Sequence, residues 1–185
     1  MKVEKTLLDG VMIIEPDVFT DERGYFFEGF QEKRYQEVLG STERFVQDNV
    51  SLSQKGVLRG LHYQAPPFAM GKLVQALKGR VLDVAVDIRS GSPTYGQYVT
   101  VELSADNHKQ LWIPAGYAHG FLALEDDTLF TYKCTNVYSR EHDRGILWND
   151  PSLGIDWGND VPMVSEKDQK HPLFADIEQE FFLKS

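Results

Sequence analysis

Cysteine is nearly absent: Cys134 stands alone in 185 residues. An internal disulfide is therefore excluded, and so is a zinc site built from cysteine thiolates. The count is compatible with a reducing compartment. Long apolar runs are also missing, and nothing approaches the roughly 18 consecutive apolar residues of a membrane span. The opening stretch MKVEKTLLDGVMIIEPDVF carries acidic residues inside its apolar part and shows no cleavage pattern, so it does not read as a secretory signal. Basic residues are in deficit, 19 Lys and Arg against 28 Asp and Glu, for a formal net charge of -9. That balance argues against a general nucleic-acid or anionic-membrane surface, because both need basic patches. It leaves open one small anionic ligand gathered by a few arginines in a cleft. There is no internal repeat and no Gly/Ser-rich or Pro-rich linker. The expectation is a soluble, cytoplasmic chain whose residues 1–185 form a single domain, with a C-terminal helical segment from about 165 to 185.

What is present reads as β-structure. The hydrophobic fraction is 42% and the charged fraction 25%, ordinary globular values that allow a real core without staples. Short β-like runs cover Tyr25–Phe30, Glu43–Ser53, Val57–Tyr63, Lys72–Leu77, Arg80–Ile88, Tyr98–Ser104, Lys109–Ile113, Gly120–Leu124 and Thr128–Asn136. Turn residues separate them, including Lys78-Gly79, Gly91-Ser92-Pro93 and Ala105-Asp106-Asn107. Many short strands with such turns point to an all-β antiparallel sandwich or barrel. In RVLDVAVDI, Leu82, Val84, Val86 and Ile88 share one face, and Val81, Asp83, Ala85 and Asp87 the other, the pattern of a half-buried strand. Short peripheral helices are expected at Gln31–Leu39, stopped by Gly40, and near Asp176–Leu183. Ser165-Glu166-Lys167-Asp168 has the form of a helix-start box with Asp at its fourth position.

Three stretches can carry chemistry. GVLRGLHYQ (56–64) sets His62 between Leu61 and Tyr63; alone, it reads more readily as a core histidine satisfied by a carbonyl. KLVQALKGRV opens on Lys72, which alternation puts on the face of Val74 and Ala76. Such a lysine usually snorkels from a strand end; the functional reading is a cation held where negative charge develops on a substrate oxygen. In TLFTYKCTN, Tyr132 shares a face with Phe130 and Cys134, ordinarily a core tyrosine with its hydroxyl bonded. IPAGYAHGFLAL (113–124) adds His119 at a strand start. His62 and His119 offer two metal ligands without a clear third, and catalytic zinc normally takes three; the reading is metal-free. Arg59 and His62 have opposite strand parity, so regular pleating sends them to opposite faces. Either a bulge at Gly60 resets the phase, or Arg59 serves a partner subunit.

Together these motifs resemble a known family. The turn pattern is similar to the cupin barrel, and PAGYAH to its second motif. The closer resemblance is to the dTDP-4-dehydrorhamnose 3,5-epimerases, carried in order by DERGYFFEGF, QDNVSLS, GVLRGLHYQ, GKLVQALKGRVLDVAVDIR, IPAGYAHGFLAL, TYKCTNVY, GILWNDP, LGIDW and SEKD. It implies a cupin-like jelly-roll β-sandwich with a few short peripheral helices, forming a metal-free, cofactor-free homodimer that acts on a dTDP-4-keto-6-deoxy sugar. It implies His62 as base, Tyr132 as acid, Asp168 orienting His62, and Lys72 stabilising an enolate. Its ligand-binding pattern falls on Arg23, Glu28, Gln47, Asp48, Asn49, Arg59, His119 and Lys167, with Tyr138 stacking on the thymine. At Asp143, in HDRG, the family usually has Glu; the shorter side chain keeps the carboxylate and loses reach.

The chemistry explains the residue types. Protons on C3 and C5 of a 4-keto sugar flank the carbonyl, so each can leave as the carbanion delocalises into an enolate. Inversion needs a base on one face and an acid on the other. A neutral imidazole of pKa near 6.5 accepts a proton at neutral pH, and a phenol near 10 donates one. A carboxylate behind the imidazole fixes its tautomer and stabilises the imidazolium. Rival readings are a mono-epimerase of a related sugar, a non-catalytic sugar-nucleotide-binding cupin, and a metal-dependent cupin enzyme.

Overall fold

The computed structural model describes residues 1–159 and 161–183. Two antiparallel sheets pack face to face. The first contains β1 (Lys2–Lys5), β2 (Met12–Glu15), β5 (Gln47–Ser53), β7 (Lys72–Lys78), β10 (Gln110–Ile113) and β12 (Thr128–Cys134), in the order β1-β2-β10-β7-β12-β5. The second contains β6 (Val57–Gln64), β8 (Arg80–Asp87), β9 (Tyr98–Ser104), β11 (Tyr117–Ala123) and β13 (Asp143–Gly145), in the order β13-β6-β11-β8-β9. The short β14 (Met163–Val164) runs parallel to β6. β3 (Val18–Asp21) and β4 (Gly24–Phe27) form a separate hairpin.

The inter-sheet core joins Val74, Ala76, Leu111, Ile113 and Phe130 of the first sheet to Val81, Ala85, Val101, Leu103, Tyr117 and Phe121 of the second. Phe121 and Phe130 stack at 4.2 Å across the gap. Full burial of one such ring contributes roughly 1.5–3 kcal/mol. The alternation read in RVLDVAVDI has the right phase, but β8 is covered on both sides. Val84, Val86 and Ile88 enter a second core with Leu58, Leu61, Ile146, Trp157 and Ile177. The chain after β13 crosses the outer face of the second sheet and closes it.

Among the described residues there is one α-helix, α1 (Glu32–Leu39). Gln31 is its cap and accepts from the Arg34 N–H at 2.7 Å; Gly40 ends it at φ 60°. Tyr35 buries under it with Ile14, Leu73 and Trp112.

The C-terminal expectation is corrected. In place of a helix over Asp176–Leu183 there is a single 3-10 turn at Phe174–Asp176, then extended chain with Phe182 bridging to Ser90. The segment from 165 is likewise 3-10 turns and extended chain, with Lys184 and Ser185 outside the described residues. Apolar residues here serve the second core rather than a helical stripe: Ile177 is buried and Phe181 packs against that core. Ser165 does cap its turn, accepting from the Asp168 N–H at 3.1 Å.

Candidate active site

One face of each sheet builds the site. Residues directly opposed in an antiparallel pair share a face. Tyr132 opposes Asn49 and Val74, and Cys134 opposes Gln47 and Lys72. Gln47, Asn49, Lys72, Tyr132 and Cys134 therefore line one inner surface. Asp48, between Gln47 and Asn49, falls on the other side and binds Lys133 at 2.9 Å, which takes its carboxylate out of the cavity. The parity conflict in β6 is resolved by a bulge. His119 opposes His62 and Phe121 opposes Arg59, so β6 spends one residue more than β11 over that interval. Gly60 adopts φ 138°, and a Cβ there would lie 2.5 Å from the Gly120 Cα. Glycine is thus needed both for the conformation and for the close approach. The bulge brings Arg59 and His62 to one face.

The resulting cavity of about 560 Å³ is lined by Ser51, Arg59, His62, Lys72, His119, Phe121, Tyr132, Lys167 and Asp168, among others. A second chamber of about 350 Å³ shares His62, Lys72, Tyr132 and Lys167, and adds Gln47, Asn49, Gln64, Tyr138 and Asp143. His62 and Tyr132 thus border the same space. Arg23 and Glu28 do not. Arg23 lies on the β3–β4 turn against Asp21, and Glu28 pairs with Arg34 at 2.8 Å.

His62 Nε2 lies 2.8 Å from Asp168 Oδ1, and Asp168 Oδ2 accepts the Gly60 N–H at 3.2 Å. Burial opposes the Asp168 charge, but His171, His62 and the Gly60 N–H outweigh it and hold the carboxyl far below its usual range. An anionic Asp168 accepts only, so Nε2 carries the proton and Nδ1 keeps its lone pair. Burial pushes the His62 imidazole down; Asp168 pulls it up, and the Lys72 and Lys167 charges push it down again. Burial also pushes the Lys72 ammonium down and the Tyr132 phenol up. The ring is therefore a free base at neutral pH, and the phenol keeps its proton.

Two groups escaped sequence reading. Asp83, fully buried, holds His119 Nε2 at 2.9 Å; burial raises its pKa, while His119 and Lys72 oppose the rise. The signal was available, since an inward carboxylate between Val81 and Ala85 demands a partner. His171 stands 3.5 Å from Asp168 Oδ1, with no sequence signal beyond its spacing. His62, Asp168 and His171 are the metal-ligand types that cluster among the described residues, within 4.8 Å. His119, the other histidine weighed in the sequence, turns instead to Asp83. His62 Nε2 is already engaged with Asp168 at 2.8 Å, so within this cluster the neutral imidazole donates to the carboxylate. Asp143, despite its length, accepts from Tyr138 Oη at 3.1 Å, from Gln64 at 3.2 Å, and from Lys167.

Residues 5–176 match the family model of dTDP-4-dehydrorhamnose 3,5-epimerase. The chain belongs to that family. A dTDP-4-dehydrorhamnose 3,5-epimerase of Shigella flexneri is 53% identical over 178 residues, covering 96% of this chain and 98% of its own. One from Pseudomonas aeruginosa is 51% identical, with the same coverage. A crystal structure of a dTDP-6-deoxy-D-glucose-3,5-epimerase from Legionella pneumophila, in complex with dTDP-4-keto-L-rhamnose, superposes with a TM-score of 0.96 at 50% identity, covering 100% and 99% of the two chains. A 3'-monoepimerase from Streptomyces bikiniensis, in complex with dTDP-quinovose, gives 0.87 at 33% identity, covering 92% and 86%. Family membership makes the chain an isomerase of the epimerase type on a cupin-type β-sandwich.

Proposed function

We propose that this chain inverts C3 and C5 of dTDP-4-dehydro-6-deoxy-D-glucose to give dTDP-4-dehydro-L-rhamnose, within dTDP-rhamnose biosynthesis. The observation that carries this is the His62 imidazole held by Asp168 at 2.8 Å, in one cavity with Tyr132. His62 Nδ1 takes the proton beside the ketone, and Asp168 stabilises the imidazolium. Lys72 lies beside the developing enolate oxygen; such electrostatic terms are worth about 3–4 kcal/mol. Tyr132 returns a proton from the opposite face. Arg59, His119 and Lys167 supply the diphosphate end, while Gln47, Asn49, Tyr138 and Asp143 receive the nucleoside in the second chamber. The reaction needs no cofactor.

The whole chain acts as one domain, since the segment beyond β13 supplies Lys167 and Asp168. It works as a homodimer. β5 is a sheet edge with Val50 and Leu52 exposed and Val46 exposed just before it, and the β3–β4 hairpin exposes Phe19, Tyr25 and Phe26. Arg23 and Glu28 ride on or beside that hairpin, outside their own chain's cavity, and serve the partner's. No helix among the described residues is long and apolar enough to cross a membrane. An unpaired, buried Cys134 thiol suits a reducing cytoplasm.

Incubation with the 4-keto sugar in deuterated water, read by NMR after trapping with a stereospecific 4-reductase, tests the reaction. Deuterium is expected at both C3 and C5. Uptake at neither position rejects the assignment, and uptake at C3 alone converts it to a mono-epimerase, the activity of the Streptomyces bikiniensis relative.

A further inference from the structure

His171 lies behind the base. The Ser165-capped turn carries Asp168 at its start, and His171 follows three residues later, just before Pro172. The Leu147 N–H donates to the Pro172 carbonyl at 2.8 Å, which ties this corner to the end of β13. On β13, Gly145 opposes His62. A Cβ on Gly145 would sit 2.4 Å from His171 Nε2, so the ring occupies the space that the missing side chain leaves. The ring packs edge-on against His62 with centroids 5.6 Å apart. Its Nε2 is buried and makes no hydrogen bond among the described residues; its polar neighbour is Asp168 Oδ1, at 3.5 Å. A buried ring nitrogen with one anionic neighbour has one favourable use, which is to donate toward it.

We propose that His171 is a positioning residue whose Nε2–H steadies the Asp168 carboxylate from behind, holding it in line with His62. This rests on the reading of His62 as the proton-abstracting base. The carboxylate then has three donors: His62, His171 and the Gly60 N–H. His171 takes a share of the anion's charge and limits how strongly Asp168 holds the proton on His62. The other charged groups around His62 are Lys72 and Lys167, and neither contacts His171 in the hydrogen-bond network. The pairing keeps the carboxylate both ionised and fixed in orientation.

The first test is made on the unmodified protein. Nitrogen-15 imidazole NMR is expected to find a proton on His171 Nε2; an Nε2 that carries no proton overturns the proposal. This readout does not depend on turnover, so it separates from the deuterium experiment that tests the function. The second test compares His171→Leu with His171→Gln, whose amide can still donate. His171→Leu is expected to lower kcat about 10- to 100-fold, the scale of one hydrogen bond to a charged group, with KM within about twofold. It is also expected to move the acid limb of kcat/KM to higher pH, because Asp168 then acts on His62 alone. His171→Gln is expected to recover most of kcat and the original limb. Equal losses in both variants with an unmoved limb would mean packing alone, and would overturn the proposal, as would a fully active His171→Leu.

Discussion

An imidazole takes a proton from carbon while its lone pair is free, so under the proposed mechanism the protonation of His62 sets the acid boundary of the reaction. Burial and two lysine charges lower its pKa against the pull of Asp168. The acid limb of kcat/KM is therefore expected below the free-histidine value of about 6.5. A limb above that value would mean that Asp168 outweighs burial and the two lysines at His62. Asp168→Asn removes the anion and offers Nε2 the wrong partner. By analogy with loss of the carboxylate in a Ser-His-Asp triad, kcat is expected to fall about 10³- to 10⁴-fold, and the residual limb to move to still lower pH. The same substitution has a stability signature. The folded pKa of Asp168 lies below its unfolded value near 3.9. Its ionised form thus stabilises the protein above about pH 4, and that contribution fades as pH falls from there toward the folded pKa. Urea unfolding of wild type and Asp168→Asn should accordingly differ most at neutral pH and converge in acid. His62→Ala should abolish both deuterium uptake and product. Tyr132→Phe should still allow some uptake from the base side while blocking correct inversion; wild-type inversion rates in that variant would remove its role as acid.

At the scale of elements, the strands from β6 to β12 were legible because turn residues separate them and alternation fixes their faces. The phases of Lys72 with Val74 and Ala76, and of Tyr132 with Phe130 and Cys134, both match the structure. The bounds of β1, β2 and β3 were not legible. Each strand is four residues long, and β1 and β3 are exposed along their whole length, so no buried face imprints an alternation on them; each pairs with the next strand in the chain. The C-terminal segment misled for the opposite reason: its apolar residues are spaced like a helix, but the outer face of β8 and β11 claims them first. The bulge at Gly60 was one of two open readings of β6, and the β6–β11 register decides it. Asp83 and His119 meet because β8 and β11 lie side by side, which no local pattern reveals. Gly60→Ala should therefore do more than weaken the fold. With a Cβ 2.5 Å from the Gly120 Cα at φ 138°, a loss of about 2 kcal/mol or more is expected, measurable by urea unfolding. Relief of the clash by removing the bulge would turn Arg59 away from His62, so binding of dTDP should weaken in the fraction that still folds. Full stability with wild-type dTDP affinity would mean that the bulge does not set the phase.

At the scale of the molecule, the single chain holds the proposed base, acid and orienting carboxylate in one cavity, yet leaves Arg23 and Glu28 outside it. An isolated chain also exposes Phe19, Tyr25 and Phe26 on a hairpin and Val50 and Leu52 on a sheet edge, surfaces that stand apolar in water without a partner. If a second copy covers them and receives the hairpin, each site needs His62 from one subunit and Arg23 from the other. Arg23→Ala should then lose about 10- to 100-fold in kcat/KM through the missing charge-assisted bonds, and His62→Ala should be inert. Neither variant alone has an intact site. When the two are unfolded together, mixed in equal amounts and refolded, half of the dimers are mixed. In each mixed dimer, the subunit with an intact His62 faces a partner with an intact Arg23. Activity should return to about a quarter of the wild-type level per chain, because an isologous pair exchanges the same elements in both directions. If Arg23 instead serves its own chain, every site in the mixture carries one of the two defects, and activity stays at the sum of the separate variants. Sedimentation of the same samples fixes the assembly state, so a failure to rescue in an intact dimer would count against the exchanged hairpin rather than against dimerisation.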